Sequence, residues 1–494
     1  MNKYIKSSLR FSLSFVFLTV FAVFTIAQVS LKEEKVTLPT YPMGPDEPNA
    51  LFKDYKLPGF KVFRGDRSVY PYTLQEEFSS EKKDVDYHAV ILENQYINTH
   101  VFTGLRGRLQ GAYDKRNNFD YIYYNHVIKP QDIAIRKAWL SGGLEWNHPG
   151  GHGYNQFGKV SHITKEYEDG SKSVVVTEIE PVRNMKWQTE VKLYPERLYL
   201  ETTCRLYSIA DHPMQFASSL NGAMHTSDEL EVILPEGTHY TGHGKNTMWE
   251  WPLFKGVDYR WLKNIQRTFS IFLEGEGLRQ DYWGCYSHDE DIDAGTVIIA
   301  DHRFTPGKKY FTWGYHDKGR IWDTLLSDND GGYIELQQQA FWDNLGYGHA
   351  WLDPLEVKEF TVYWYPIKNM GGFVKANKDI ALNIEDKENG QVYIAAQATK
   401  PMKNAMIVVK ANEDIIYEKS TDLSLTEPYT DQFKINGNHA YEDLKVAITD
   451  KNNEHVISYV TRDKSFEAPP LPKKPEDPKE MTMDELFQKG KSFY

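Results

Sequence analysis

From Glu33 to about residue 370 the chain is a succession of short β-rich runs at close spacing, and this density of strands limits its fold more than anything else. Tyr87 to Leu92, Ser173 to Ile179, Leu198 to Tyr207 and Val297 to Ala300 are such runs. Asp169-Gly170, Asn221-Gly222, Glu236-Gly237 and Asp330-Gly331-Gly332 read as the turns between strands, since glycine reaches the positive φ of a tight reversal. No apolar stripe at helical spacing lasts longer than about two turns before Lys375, so few and short helices are predicted there. So many strands exceed one twisted open sheet, and two packed sheets are the stable solution. The predicted class is all-β.

A second unit, 374–463, carries shorter runs at Asp379 to Ile384, Gln391 to Ala396, Asn404 to Lys410, Asp414 to Lys419 and Leu444 to Thr449, and reads as a small immunoglobulin-like β-sandwich. Residues 465–494 begin with five prolines among charges, the composition of a stiff linker, and Thr482 to Glu485 has the form of a capping box opening a helix. At the other end Lys3, Lys6 and Arg10 precede an apolar run from Phe11 to Ala27 that is short for a membrane span. Residues 1–27 therefore read as a secretory signal peptide, and the expected location is secreted or periplasmic, with no membrane span after cleavage.

Lys plus Arg number 57 against 69 Asp plus Glu, a formal charge of −12 that repels phosphate backbones and argues against nucleic acid as partner. Cys204 and Cys285 are the only cysteines, enough for one disulfide or two buried thiols but not for a four-thiolate metal site. With 32 Tyr, 25 Phe and 12 Trp, aromatics make up 14% of the chain; flat aromatic faces fill β cores and also stack on sugar rings.

Three clusters hold the polar groups that a carbohydrate site needs. In the stretch Ser141 to Asn155, two Gly-Gly pairs let the backbone bend around Glu145, Trp146, Asn147, His148, His152 and Tyr154. A neutral imidazole there can hydrogen-bond a sugar hydroxyl, and an imidazolium can donate to a ring oxygen. In Asn221 to Thr226 a single histidine, His225, ends a short apolar stretch, the pattern of a satisfied core histidine as readily as of a catalytic one. In Gly332 to Gln337, alternation puts Tyr333, Glu335 and Gln337 on one strand face, where Glu335 is either a hydrogen-bonded structural acid or a general base. The acidic stretches His288 to Asp291 and Asp328 to Gly331 lack a completed calcium loop and read as solvated turns. No metal and no cofactor is called for, and the nucleophile-elbow, P-loop, zinc-protease and dinucleotide motifs are absent.

In chain order, Leu92-Glu93-Asn94, Leu105-Arg106-Gly107-Arg108, Tyr123-Tyr124-Asn125, the Ser141 to His152 loop, Asn221 to His225, Ala300-Asp301-His302 with Pro306-Gly307-Lys308, and Tyr333 to Gln337 resemble the galactose mutarotase-like (aldose 1-epimerase) superfamily. The resemblance is closer still to a bacterial family of mutarotase-like domains of unknown function that often precede tetratricopeptide repeats. It implies a β-supersandwich over 33–370 and a site in which Glu335 resembles the base and His225 the acid that open and reclose a sugar ring. His152 resembles the additional loop histidine and Arg108 the arginine of a Gly-Gly-Arg motif whose first glycine is Arg106 here.

The combined reading is a secreted carbohydrate-active protein acting at an anomeric carbon with Glu335 and His225, as a glycoside hydrolase or an epimerase. His152, Arg108, Glu145, Trp146, Asn147, His148, Tyr154, Asp301, His302 and Gln337 would position the sugar, and Glu145 and Asp301 are the candidates for the second carboxylate of a glycosidase. The rival reading is a non-catalytic glycan-binding or assembly module that meets protein partners through its C-terminal region.

Overall fold

Strand pleating commits alternate side chains to opposite faces, and in this chain one face is apolar throughout. In Ser219–His225 the residues Leu220 and Met224 enter the core, in Tyr333–Gln339 Ile334 and Leu336 do, and in Leu144–Asn147 it is Leu144 and Trp146. The computed structural model describes residues 28–47, 69, 71–242, 248–341, 350–435 and 439–461, with 479, 483 and 486 as single positions. The signal-peptide segment and nearly all of the Pro-rich tail lie outside the described residues.

Two large antiparallel sheets pack their apolar faces together. The first has twelve strands, in the order Ser30–Thr40, Lys83–Glu93, Ile97–Phe102, Arg108–Asp114, Leu144–Asn147, Ser219–His225, Tyr333–Gln339, Gly307–Thr312, Phe269–Gly275, Thr238–Gly242 and Met248–Glu250, with Phe119–Ile122 branching from Arg108–Asp114. The second has eight, running from Leu230–Ile233 through Tyr282–Ser287, Ala294–Ala300, Val357–Lys368, Leu200–Ser208, Met185–Leu193 and Lys172–Glu180 to Ser161–Glu166. Trp146, Trp187, Trp283 and Trp364 are buried in the core between them. This is the all-β architecture of two packed sheets that the strand density leads one to expect.

Strands from Lys375–Ala376 to His455–Val460 build two further four-stranded sheets around a core of their own, with Ile394, Ile407, Val446 and Ile448 at its centre. This unit covers the outer face of the eight-stranded sheet: Tyr282, Tyr286, Val297, Ile299, Tyr365 and Ile367 pack with Ala376, Ala381 and Ala395. The middle of that sheet is therefore buried on both sides, which explains why Ala294–Ala300 is apolar without alternation.

One local expectation is corrected, and helices before Lys375 are few and short as predicted. Asn221-Gly222 is no turn: it lies in the middle of Ser219–His225. Glycine is needed there because a Cβ would lie 2.8 Å from Trp364 Cζ3, 3.0 Å from Met224 Cε and 3.1 Å from Leu144 Cδ2. An eleven-residue helix, Asp317–Ser327, stands before Lys375. Its apolar stripe is thin because Ile321 and Leu325 face solvent and Leu326 alone of its large side chains is buried. Both cysteines are buried free thiols, which burial pushes up to about 12.

Overpacking at the sheet interface gives a test of this architecture. Gly222→Ala is expected to lower unfolding free energy by about 1–3 kcal/mol in denaturant melts, whereas Gly104→Ala, with no atom within 4 Å of its new methyl group, leaves the midpoint nearly unchanged.

Candidate active site

The polar side chains sit on the face of the twelve-stranded sheet turned away from the core. Register places Glu145, Asn221, Gln337 and Lys309 in one row across four neighbouring strands. The row beside it holds Ala223, Glu335 and Phe311, and the next holds His225 and Tyr333. On the other side lie Asn147, Ser219 and Gln339. Glu145, Asn147, Asn221, Glu335 and Gln337 are each only 4% exposed. Two strand spacings, about 10 Å of backbone, separate Glu145 from Glu335, and His152 enters between them from the glycine-rich loop.

Glu145 is held by five donors. Trp139 Nε1 lies at 3.3 Å, Asn221 Nδ2 at 3.2 Å and His152 Nδ1 at 3.2 Å from its Oε2. Gln156 Nε2 donates to Oε1 at 2.7 Å, and Asn147, with its amide nitrogen turned inward, reaches Oε1 at 3.0 Å and the Gly151 carbonyl at 2.8 Å. Burial opposes ionisation of this carboxyl, but His152, the Arg108 charge and these hydrogen bonds hold it below the usual range. Burial likewise opposes a charged His152, and the Glu145 and Glu335 carboxylates outweigh it, so the imidazole is raised above 6.5. Glu145 and His152 thus form a charged pair.

Glu335 moves the other way. Burial and then the Glu145 charge raise it, while His152 and Lys309 pull it part of the way back. Gln337 Nε2 donates to it at 2.9 Å and the Tyr333 hydroxyl at 3.4 Å. Two buried carboxyls with one imidazole between them, one lowered and one raised, provide an ionised group, a proton donor and a proton acceptor within one patch. Aromatic rings surround it: Trp139 meets the His152 ring edge-on at 5.6 Å, Trp313 stacks on Trp322 at 4.3 Å, and the Lys309 ammonium lies 5.4 Å from the Phe272 ring centre.

Glu335, Glu145, His152, Asn147 and Gln337 therefore come together, and other residues singled out from sequence do not join them. The His225 ring lies tilted against Tyr123 at 4.4 Å and 4.0 Å from Asp120; burial lowers it to about 4, with Asp330 and His126 rather than Glu335 as its electrostatic partners. Trp146 points into the core and donates to the Gly107 carbonyl at 2.7 Å, because even-numbered residues of that strand face the second sheet. His148 is buried against Trp187 and the Ser218 hydroxyl, with burial lowering it to about 3. Tyr154 stacks on Tyr72 at 5.6 Å in a separate apolar cluster.

Arg108 is buried beneath the site and donates to the carbonyls of Leu140 and Gly142, so it positions the loop rather than reaching a ligand. Asp301 and His302 lie on a surface turn after Ala294–Ala300, where Arg303 clamps Asp301 and Asp281 accepts from His302 at 2.8 Å. Asp301 is thus no second carboxylate for Glu335, whereas Glu145 is close to it. The acidic turn at Asp328 and Asp330 is tied up by Lys82, Lys129 and His126, and Glu231 pairs with His288. Trp139, Gln156 and Lys309 escaped the sequence reading. Alternation in Lys309-Tyr310-Phe311-Thr312-Trp313 carried a signal for the lysine, but nothing local marked Trp139 or Gln156.

Comparison with known proteins supports this architecture. A solved TPR-domain containing protein from Parabacteroides distasonis is 22% identical, covering 69% of this chain and 55% of that one, at a TM-score of 0.60. The chain thus spans about half of that protein's length. Galactose mutarotase-like proteins are also among the similar structures: one from Clostridium acetobutylicum at 9% identity and TM-score 0.42, covering 57% of this chain and 96% of that one, and one from Lactobacillus casei at 11% and 0.38, covering 56% and 100%. Likeness at that level says nothing of activity. Residues 375–459 match the model described as YphG-like protein, second domain. Residues 65–367, more than half of the sequence, match the model of a domain of unknown function, and the chain belongs to that family, DUF5107.

Proposed function

We propose that this is an exported protein that binds a sugar or glycan over the Glu145–His152–Glu335 patch and acts at an anomeric carbon. The observation that carries the reading is the opposed behaviour of two buried carboxyls sharing one histidine. Acid and base roles at a single centre require that division. His152, charged beside Glu145, donates a proton to the ring or glycosidic oxygen; Glu335 takes the proton of the anomeric hydroxyl or of a water. Asn147, Asn221, Gln337 and Lys309 supply hydrogen bonds to hydroxyls, and the half-buried Trp313 supplies a face for a sugar ring. His152 takes the acid role that the family resemblance lent to His225, because His152 and not His225 shares an electrostatic environment with Glu335.

The test is incubation of the chain with a panel of mono-, oligo- and polysaccharides, followed by chromatography and by NMR of the anomeric protons. Glu335→Gln is expected to lose about 10²–10⁴-fold in turnover, the range for removal of a general acid or base. Retained glycan binding without turnover in the wild type would instead make the site a binding module. The pH profile has a definite sign. Activity falls at acid pH as Glu335 takes up a proton, and at alkaline pH as His152 loses one above 6.5. Glu145→Gln removes the charge that holds the imidazole up, so the alkaline limb should move to lower pH; an unmoved limb would show that His152 is not the acid.

A further inference from the structure

We propose that Glu33, His88 and His162 form a binding site for one divalent transition-metal ion of the zinc class, clamping the open rim of the large sandwich. The proposal is independent of the carbohydrate reading. Glu33 belongs to Ser30–Thr40, the edge strand of the twelve-stranded sheet; His88 is on its neighbour, Lys83–Glu93; His162 is on Ser161–Glu166, the edge strand of the eight-stranded sheet. His88 shares a strand face with Val90 and Leu92, and His162 lies opposite Val176, all three of these apolar residues belonging to the core. The histidines thus continue the inward-facing rows of both sheets to the point where the apolar core gives way to solvent.

Glu33 Oε2 lies 3.3 Å from His88 Nε2 and 3.4 Å from His162 Nε2, and the three ligand atoms are all within 4.8 Å of one another. Charged hydrogen bonds between such groups settle at about 2.7–2.9 Å. Tetrahedral zinc with bonds of about 2.0–2.1 Å places neighbouring ligand atoms about 3.3–3.4 Å apart, which is the spacing of Glu33 from both histidines. The outer nitrogen of His88 also has a partner: Nδ1 meets the Thr103 hydroxyl at 2.9 Å, which holds the ring with Nε2 toward Glu33. No lysine or arginine forms an ion pair with Glu33 among the described residues, and Lys35, on the same strand face, turns to Asp86 at 3.7 Å. The cluster at Asp281, Asp301 and His302 differs in just this respect, since Arg303 occupies Asp301. Side-chain exposures of 41% for Glu33, 43% for His88 and 25% for His162 leave room for a water as fourth ligand.

The chain, stripped with chelator, is titrated with zinc and with cobalt, whose visible absorption reports coordination number. One ion per chain, a four- or five-coordinate cobalt spectrum and a higher melting temperature with metal are expected. His88→Ala/His162→Ala should abolish saturable binding while leaving the metal-free melting temperature close to wild type. Thr103→Val, which removes only the support of His88, should weaken affinity about 10-fold. Asp281→Asn should change nothing. Absence of saturable binding by the wild type, binding that survives the double variant, or binding lost in Asp281→Asn would each overturn the proposal.

Discussion

The site depends on a steric fit at the back of the sheet that carries it. Trp364 of the eight-stranded sheet packs against Gly222, and the missing side chain lets the two sheets approach where Ser219–His225 crosses the core. With Leu220 and Met224 anchored on that side, pleating leaves Asn221 and Ala223 on the other, and hydrogen bonding to Leu144–Asn147 and Tyr333–Gln339 carries the same alternation to Glu145 and Glu335. A slip of one residue in either pairing would turn the carboxyls into the core and the tryptophan out of it.

Burying two carboxyls on one face raises an electrostatic difficulty, which Arg108 eases for Glu145 from below while His152 and Lys309 ease it for Glu335. Arg108 donates to the carbonyls of Leu140 and Gly142, and Arg106 donates to those of Trp146 and His148 at 2.6 Å each while its guanidinium lies over Trp187. The two arginines thus grip the backbone on both sides of Glu145. Arg106 adopts φ +55°, the left-handed region that glycine occupies at no steric cost, and its three-sided anchoring to Trp146, His148 and Glu178 offsets that strain. Arg106 thus holds by hydrogen bonding a backbone conformation that glycine would adopt freely.

The smaller C-terminal sandwich contributes at a distance. It covers the tyrosine-rich outer face of the eight-stranded sheet, and Arg116, paired with buried Asp114, donates to Gln397 and to the Leu425 carbonyl. Asp114 ends the same strand that begins with Arg108, so the docking of the second unit and the support of the glycine-rich loop share one strand. The metal-ligating trio lies at the opposite, open rim, where among the described residues Ser30–Thr40 and Ser161–Glu166 have no further strand beside them.

The all-β class, the strands of both units and the candidacy of Glu335, Glu145 and His152 as site residues were legible in the sequence, because alternation, turn residues and a glycine-rich loop are local patterns written along the chain. The roles of Trp146, His148, Tyr154, Asp301 and His225 were not, and neither were Trp139, Gln156 and Lys309. Whether an aromatic or imidazole faces a cleft or a core depends on which side its strand turns and on what packs there. Residues 145 and 335 meet only because two strands far apart in sequence both pair with Ser219–His225. Composition and periodicity determined what the chain could become; strand register, which no local pattern encodes, decided which of its polar residues meet in one patch.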